Sequence, residues 1–305
     1  TIIAELKGTQ SVIFAMEEPE IALPPHTQRR IADYLLHKTT QAFVTSHSPF
    51  VIERFEPEQT LLLSREPDSS VAGKRVSRSS GLRGNDFRRY ARRGLTECML
   101  GKGAIVVEGL TEFNALPVVA RKMEEANEDL QPLDIAGVAF FDAESEGQMP
   151  KFGNFFKSLG LKTFGFYDLA ARSAQKKQEL IDAYDIDCEH QYAGFEALVV
   201  AEVPVDRQWS FLGDLRETGD CGNFVIPAAR PADDVVRGLV MSALKSNKGA
   251  GWAARLLDGC EVHELPVTVT QFLTPIYAAF PKPVEVVALA EPAGDVPLAQ
   301  SGAAA

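Results

Sequence analysis

Three carboxylates in this chain stand where a parallel sheet would hold a ligand. The apolar run Ala104, Ile105, Val106, Val107 leads straight into Glu108, and Glu112 follows at the start of a helical pattern. One turn of helix brings Glu112 back over Glu108. A later strand-like run, "KTFGFYD", ends in Asp168 at the corresponding edge. Acids packed this closely repel each other, and a divalent cation relieves the repulsion. Carboxylate oxygens are hard ligands, which select magnesium, manganese or calcium over zinc. Glu112 also reads as a first-turn acid that complements a helix dipole; the company of Glu108 and Asp168 favours the metal.

Further along, "YAGFEALV" offers Glu196 and "ALKSNKGAGWAARLL" offers Lys245 and Lys248. A lysine beside a phosphate neutralises charge that develops on its oxygens. Glu196 reads equally well as a solvated helix residue, and Lys248 before Gly249 as a simple loop. Asp142, Glu144 and Glu146 in "DAESEGQMPKF" read as an exposed acidic loop rather than ligands. Tyr167 and Tyr192 lie in apolar contexts typical of packing, so nothing points to a covalent route.

A second constellation lies near the N-terminus. Glu17 and Glu18 end the apolar run "SVIFAM", and His47 follows "QAFVTS". In nucleotide hydrolysis one such acid holds magnesium and the next polarises the attacking water. No GxxxxGK[ST] phosphate cradle occurs in the 305 residues. The chain by itself is therefore not expected to hydrolyse ATP.

These residues need elements to position them. Residues 11–16, 41–46 and 60–66 read as buried strands, with a helix over 26–38 between the first two. Residues 67–85 are polar and rich in Ser, Gly and Arg, which predicts a linker or exposed loop. Lys74 to Arg93 carry eight Lys or Arg against one acid, Asp86. From residue 103 the pattern is strand (103–109), helix (112–127, with Pro117 in its first turns), strand (137–143), helix (149–160, closed by Gly160) and strand (162–168). This β-α-β-α-β order predicts a parallel sheet with right-handed crossovers. Residues 172–260 read as mostly helical.

Length suggests about two domains at roughly 150 residues each. Net charge is -11, which excludes a uniformly cationic DNA-binding surface. The basic 74–93 stretch is the best place for DNA phosphates to dock. Cys98, Cys188, Cys221 and Cys260 are too far apart in sequence for a zinc knuckle or redox pair, which suits a reducing cytoplasm. No apolar run is long enough to span a membrane. The start, "TIIAELKGTQ", lacks a signal-peptide shape and reads as cut from within a longer chain; "PAGDVPLAQSGAAA" reads as a frayed end.

The N-terminal motifs resemble the Walker B, D-loop and switch-histidine region of ABC-type ATPases. By that resemblance Glu17 is metal-associated, Glu18 is the catalytic glutamate, and His47 senses the γ-phosphate. "VVEGLTE" and "FYDLA" resemble the two acidic motifs of Toprim domains, Glu-Gly and Asp-x-Asp, although Ala170 stands in place of the second Asp. An ATPase end followed by a Toprim domain is similar to the C-terminal half of the OLD (overcoming lysogenization defect) family of nucleases, over roughly residues 1–275.

The resemblance implies an α/β chain: residues 1–66 end an ABC-type lobe, 67–101 form a basic linker and helix, 102–275 a Toprim domain with added helices, and 276–305 a tail. It implies an endonuclease that hydrolyses phosphodiesters with two metals (Mg2+ or Mn2+, with Ca2+ a non-catalytic occupant), regulated by ATP in the full-length protein. Glu108, Glu112 and Asp168 match the metal motifs, Glu196 a later acidic position, and Lys248 a transition-state lysine. DNA is the implied partner, with a homodimer formed through the ATPase part, in the cytoplasm and in antiphage defence. The missing acid at Ala170 supports an alternative, a degenerate Toprim domain that binds DNA or a partner without cutting. A topoisomerase or primase fragment ranks last, because no matching cleavage or zinc module accompanies the acids.

Overall fold

The computed structural model describes residues 13–65, 68–77, 82, 84–221 and 224–283. The expectations for the two ends of the chain fall wholly or mainly outside these residues.

Near the N-terminus β1 (Ile13–Glu17) pairs in parallel with β2 (Gln41–Thr45) across helix α1 (Pro25–Lys38). The two strands are not buried on both faces as expected. Their side chains alternate between half-covered and open, and Ile13 and Phe43 are exposed. A lone pair of strands has one helix to cover it, and period 2 sends every other side chain away from that helix. The short helix α2 (Pro49–Ile52) follows, capped by the Ser48 hydroxyl.

The segment expected as an open loop contains a strand. β4 (Val71–Arg75) folds back antiparallel on β3 (Leu61–Arg65), with Ser69 at positive φ in the turn. β4 has few apolar residues; pairing with β3, not burial, makes it a strand.

Residues 84–99 form a nearly continuous helical stretch: α3 (Gly84–Tyr90), a wide turn over Ala91–Leu95, and α4 (Thr96–Met99). Phe87, Tyr90, Leu95, Cys98 and Met99 are buried, so this stretch is tied to the sheet that follows.

The main sheet is all parallel, in the order β6-β5-β7-β8. Its strands are β5 (Gly103–Val107), β6 (Val138–Asp142), β7 (Lys162–Tyr167) and β8 (Ile186–Glu189). The first three are the predicted strands. β8 was not predicted. Helix α5 (Leu110–Ala126) and the short α6 (Leu133–Ala136) lie between β5 and β6, α7 (Met149–Ser158) between β6 and β7, and α8 (Ala174–Ala183) between β7 and β8. Pro117 lies well inside α5, because the helix starts two residues earlier than its pattern suggests. Gly160, at φ +86°, ends the turn after α7 as expected.

Alternation along β5 sorts the core into two layers. Ile105 and Val107 face α5 and a helical layer made of α9 (Phe195–Glu202), α10 (Val205–Thr218), α11 (Asp233–Ser246), α12 (Trp252–Asp258) and α13 (Val267–Ala279). Ala104 and Val106 face α7, α8 and the 84–99 stretch, where Phe156 meets Phe141 and Phe155 edge to face and Phe152 lies tilted against Phe141. A buried parallel sheet needs covering on both faces, and these two layers supply it.

Close packing dictates Gly165 in β7. A Cβ there would lie 2.5 Å from the Tyr184 ring, which is held in place by its hydroxyl donating to the Met149 carbonyl at 2.7 Å. Gly165→Ala is expected to lower stability by about 1–3 kcal/mol. A urea melt checks this; an unchanged midpoint would mean that the ring moves aside freely.

Candidate metal centre

Strand order decides where the acids meet. β5 lies between β6 and β7, so the chain leaves β5 toward one face through α5 and leaves β7 toward the other through α8. The crevice between two such strands, at their C-terminal ends, is where doubly wound sheets bind ligands. Glu108 follows β5 and Asp168 follows β7, one on each side of it. The Asp168 backbone N–H faces Glu108 Oε2 at 3.4 Å.

Glu112 sits in the first turn of α5 and is 6% exposed. Its carboxyl is pushed up to about 8, first by burial and then by the charges of Asp168, Glu108 and Glu196. Glu108 is also raised, by burial and then by Asp168. Glu108 faces the Asp168 backbone, and Asp168 and Glu196 both lie beside Gly194.

Glu196 opens α9 and is 3% exposed. Its Oε1 accepts from Thr111 Oγ1 at 3.4 Å, and its Oε2 lies 3.4 Å from Lys248 Nζ. Glu196 is thus a buried member of the cluster and not a solvated helix residue. The loop between α11 and α12 that carries Lys248 docks on the start of α5: Asn114 Nδ2 donates to the Gly249 carbonyl at 3.4 Å, and Gly249 packs against Leu110. Lys245 has no such placement and is exposed.

Two glycines leave room among the acids. A Cβ at Gly109 would stand 3.4 Å from Glu112 Oε2. One at Gly194, whose φ is +137°, would stand 3.4 Å from Glu196 Oε2 and 3.7 Å from Asp168 Oδ2. The donor set is all carboxylate oxygen, crowded and partly desolvated, which fits a hard divalent cation. Among the described residues no three His, Cys, Asp or Glu side chains are drawn together closely enough to hold an ion as they stand. The acids surround a space without closing on it.

The acidic loop after β6 is not the free loop expected. Asp142 Oδ1 accepts from the Glu144 backbone N–H at 2.7 Å. Glu144, at φ +64°, accepts from Arg89 at 2.5 Å and from the Tyr90 hydroxyl at 3.0 Å. Glu146 pairs with Arg172 at 2.7 Å. Glu144 is therefore already engaged by Arg89 and Tyr90. Ala170 itself is exposed.

Sequence reasoning missed two residues beside Asp168. Arg172, 3% exposed in its side chain, binds Glu146 and Glu189, and its Nη2 donates to the Asp168 carbonyl at 2.5 Å. His190, buried just after β8, brings Nε2 to 2.8 Å from Asp168 Oδ1. No spacing motif marks either residue, because both depend on β8. Tyr167 donates to Asp187 at 2.6 Å and plays a structural part.

Three arginines of the basic stretch meet acids. Arg88 pairs with Glu56, Arg89 with Glu144, and Arg92 lies 3.9 Å from Glu53. At the N-terminal constellation His47 Nε2 lies 3.6 Å from Glu18 Oε1, and Glu20 accepts from Ser46 and the His47 backbone N–H. Glu17 ends β1 with its side chain exposed. All four cysteines are free thiols. No helix among the described residues is long and apolar enough to cross a membrane.

Residues 99–169 match the family model described as "Overcoming lysogenization defect protein-like, TOPRIM domain". No curated protein matches the chain in sequence. Among solved structures, the C-terminal region of the Burkholderia pseudomallei OLD protein is similar at 14% identity and a TM-score of 0.43, covering 59% of this chain and 98% of that one. The C-terminal region of the Xanthomonas campestris pv. campestris OLD protein is similar at 17% identity and a TM-score of 0.38, covering 59% and 96%.

Proposed function

We propose, from the premise that residues 99–169 are an OLD-like Toprim domain, that this chain cleaves phosphodiester bonds in DNA with the help of a divalent cation. Toprim domains bind divalent metal, and the donor set here suits it. The observation that carries the reading is the gathering of Glu108, Glu112, Asp168 and Glu196 at one sheet edge, where burial first and the neighbouring acids second raise the Glu112 carboxyl to about 8.

Glu108, Glu112, Asp168 and Glu196 would hold the cation, Mg2+ or Mn2+. Bound there, it supplies Lewis acidity toward a phosphate and acidifies water. The chain's own residues do the rest. Lys248, 63% exposed in its side chain and beside Glu196, is placed to swing toward a phosphate oxygen and offset its developing charge. Arg172 holds the Asp168 backbone in place. The exposed Leu110 and Leu169 flank the crevice.

The proposal extends to residues 1–66 as the end of an ABC-type ATPase lobe, with Glu17, Glu18 and His47 in the nucleotide roles. The Glu18–His47 approach across paired strands supports it. Regulation by ATP, dimerisation through that lobe and service in cytoplasmic antiphage defence follow from the family resemblance.

A second reading is a domain that binds DNA without cutting it. It is favoured by Ala170 and by acids that do not close on a common point. Plasmid nicking separates the two. The purified chain is expected to relax supercoiled plasmid in Mn2+ or Mg2+, and to stop when a chelator is added. Ala170→Asp, at an exposed position, adds a carboxylate at little packing cost and is expected to raise the rate. DNA binding with no nicking under any divalent cation would favour the second reading.

A further inference from the structure

We infer that His190 is a positioning residue for Asp168, holding one carboxylate oxygen so that the other is presented to a divalent cation. The inference rests on the metal-site reading above.

Register brings the two side chains together. Tyr167 pairs with Glu189 across β7 and β8, so the next residues, Asp168 and His190, leave the sheet side by side. The imidazole is enclosed: its ring centroid lies 5.1 Å from that of Phe166 and 6.1 Å from that of Tyr192. Its Nδ1 accepts the Tyr192 backbone N–H at 3.3 Å. That leaves Nε2 as the nitrogen that carries the proton in the neutral ring.

Nε2 stands 2.8 Å from Asp168 Oδ1. The two are off the line of a hydrogen bond, and neither atom has another hydrogen-bond partner. For a hydrogen bond to form, the Asp168 carboxylate, 25% exposed in its side chain, has to turn until Oδ1 meets the Nε2 proton. Asp168 Oδ2 lies beside Gly194, on the same side as Glu196 Oε2. An apolar ring would fill the same space without a buried polar edge. What histidine adds is a donor within reach of Asp168. Such outer partners fix the orientation of a ligand, and their loss typically costs about 10–100-fold in metal affinity.

Two isosteres test this. The amide of Gln reaches the place of Nε2, whereas the amide of Asn reaches only that of Nδ1. Mn2+ binding is measured by calorimetry on the whole chain without DNA, with a thermal melt of each variant. His190→Asn is expected to bind Mn2+ about tenfold or more weakly than the natural protein, and His190→Gln within about threefold of it. Equal affinities for Asn and Gln, whether both normal or both weakened, would overturn the inference, as would a Gln variant weaker than Asn. A purely packing role lowers both melting temperatures without separating the affinities. If the natural protein itself binds no Mn2+, the metal-site reading fails first, and the two failures stay distinct.

Discussion

Glu108→Ala is expected to abolish divalent-dependent plasmid nicking while leaving the fold intact. Glu108 emerges from the central strand β5 into the crevice, half-buried, and faces the Asp168 backbone. Its carboxyl is raised by burial and by the Asp168 charge, so the protein carries an electrostatic cost at this position. Removing it lessens repulsion and leaves little cavity, which predicts an unchanged or slightly higher melting temperature. The loss of cleavage should exceed the roughly 10–100-fold typical of removing an outer partner of a metal ligand. Glu108→Gln keeps the shape and removes the charge, and it should be as inactive as the alanine variant. A Gln variant that nicks at the natural rate would show that the charge of Glu108 plays no part. The assay needs a chelated control, so that contaminating nucleases are not mistaken for residual activity.

The second large effect is on stability. Glu112 holds its proton up to about pH 8 in the folded chain, against an ordinary value of 4.5. Below 4.5 both folded and unfolded chains are protonated there, and the full stability is present. Between 4.5 and about 8 the unfolded chain ionises Glu112 while the folded chain does not, so stability falls as pH rises, by up to about 1.4 kcal/mol per unit. Near pH 8 the loss levels off at a few kcal/mol. Glu112→Gln cannot ionise and escapes this loss.

Without divalent cations, natural and variant proteins should melt together near pH 5 and separate by on the order of 10 °C near pH 8, with the variant higher, given roughly 2–4 °C per kcal/mol for a chain of this size. A weaker slope persists in the variant because Glu108 is raised as well. Adding Mn2+ at pH 8 should raise the melting temperature of the natural protein and have little effect on the variant. Parallel melting curves for the two proteins across this range would refute the assignment of Glu112 to the crowded cluster.

The sequence by itself determined the local half of the site. Glu108 and Glu112 are bound to each other by four residues of chain, and a strand that ends in a helix allows them little choice of relative position. Asp168 was legible as a strand end, because apolar runs bounded by polar residues mark buried parallel strands. The parallel character of the main sheet followed from alternating strands and helices.

Tertiary structure decided the rest. Nothing in the order of residues says that β7 lies beside β5, yet that neighbour relation sets Asp168 across the crevice from Glu108. Glu196 and Lys248 reach the cluster only because α9 and the loop after α11 pack on the same layer as α5. β8 is four residues long, and although Ile186 and Cys188 alternate with Asp187 and Glu189, so short a run is no strand signal by itself; pairing with β7 makes it one. His190 was invisible for the same reason, because the β7–β8 register sets it beside Asp168; Arg172 gains its fixed position from Glu146 and Glu189, which only folding brings to it. A run of charge shows its sign but not its partners: folding brings Glu56 to Arg88, Glu144 to Arg89 and Glu53 near Arg92, three arginines that stay more than half exposed.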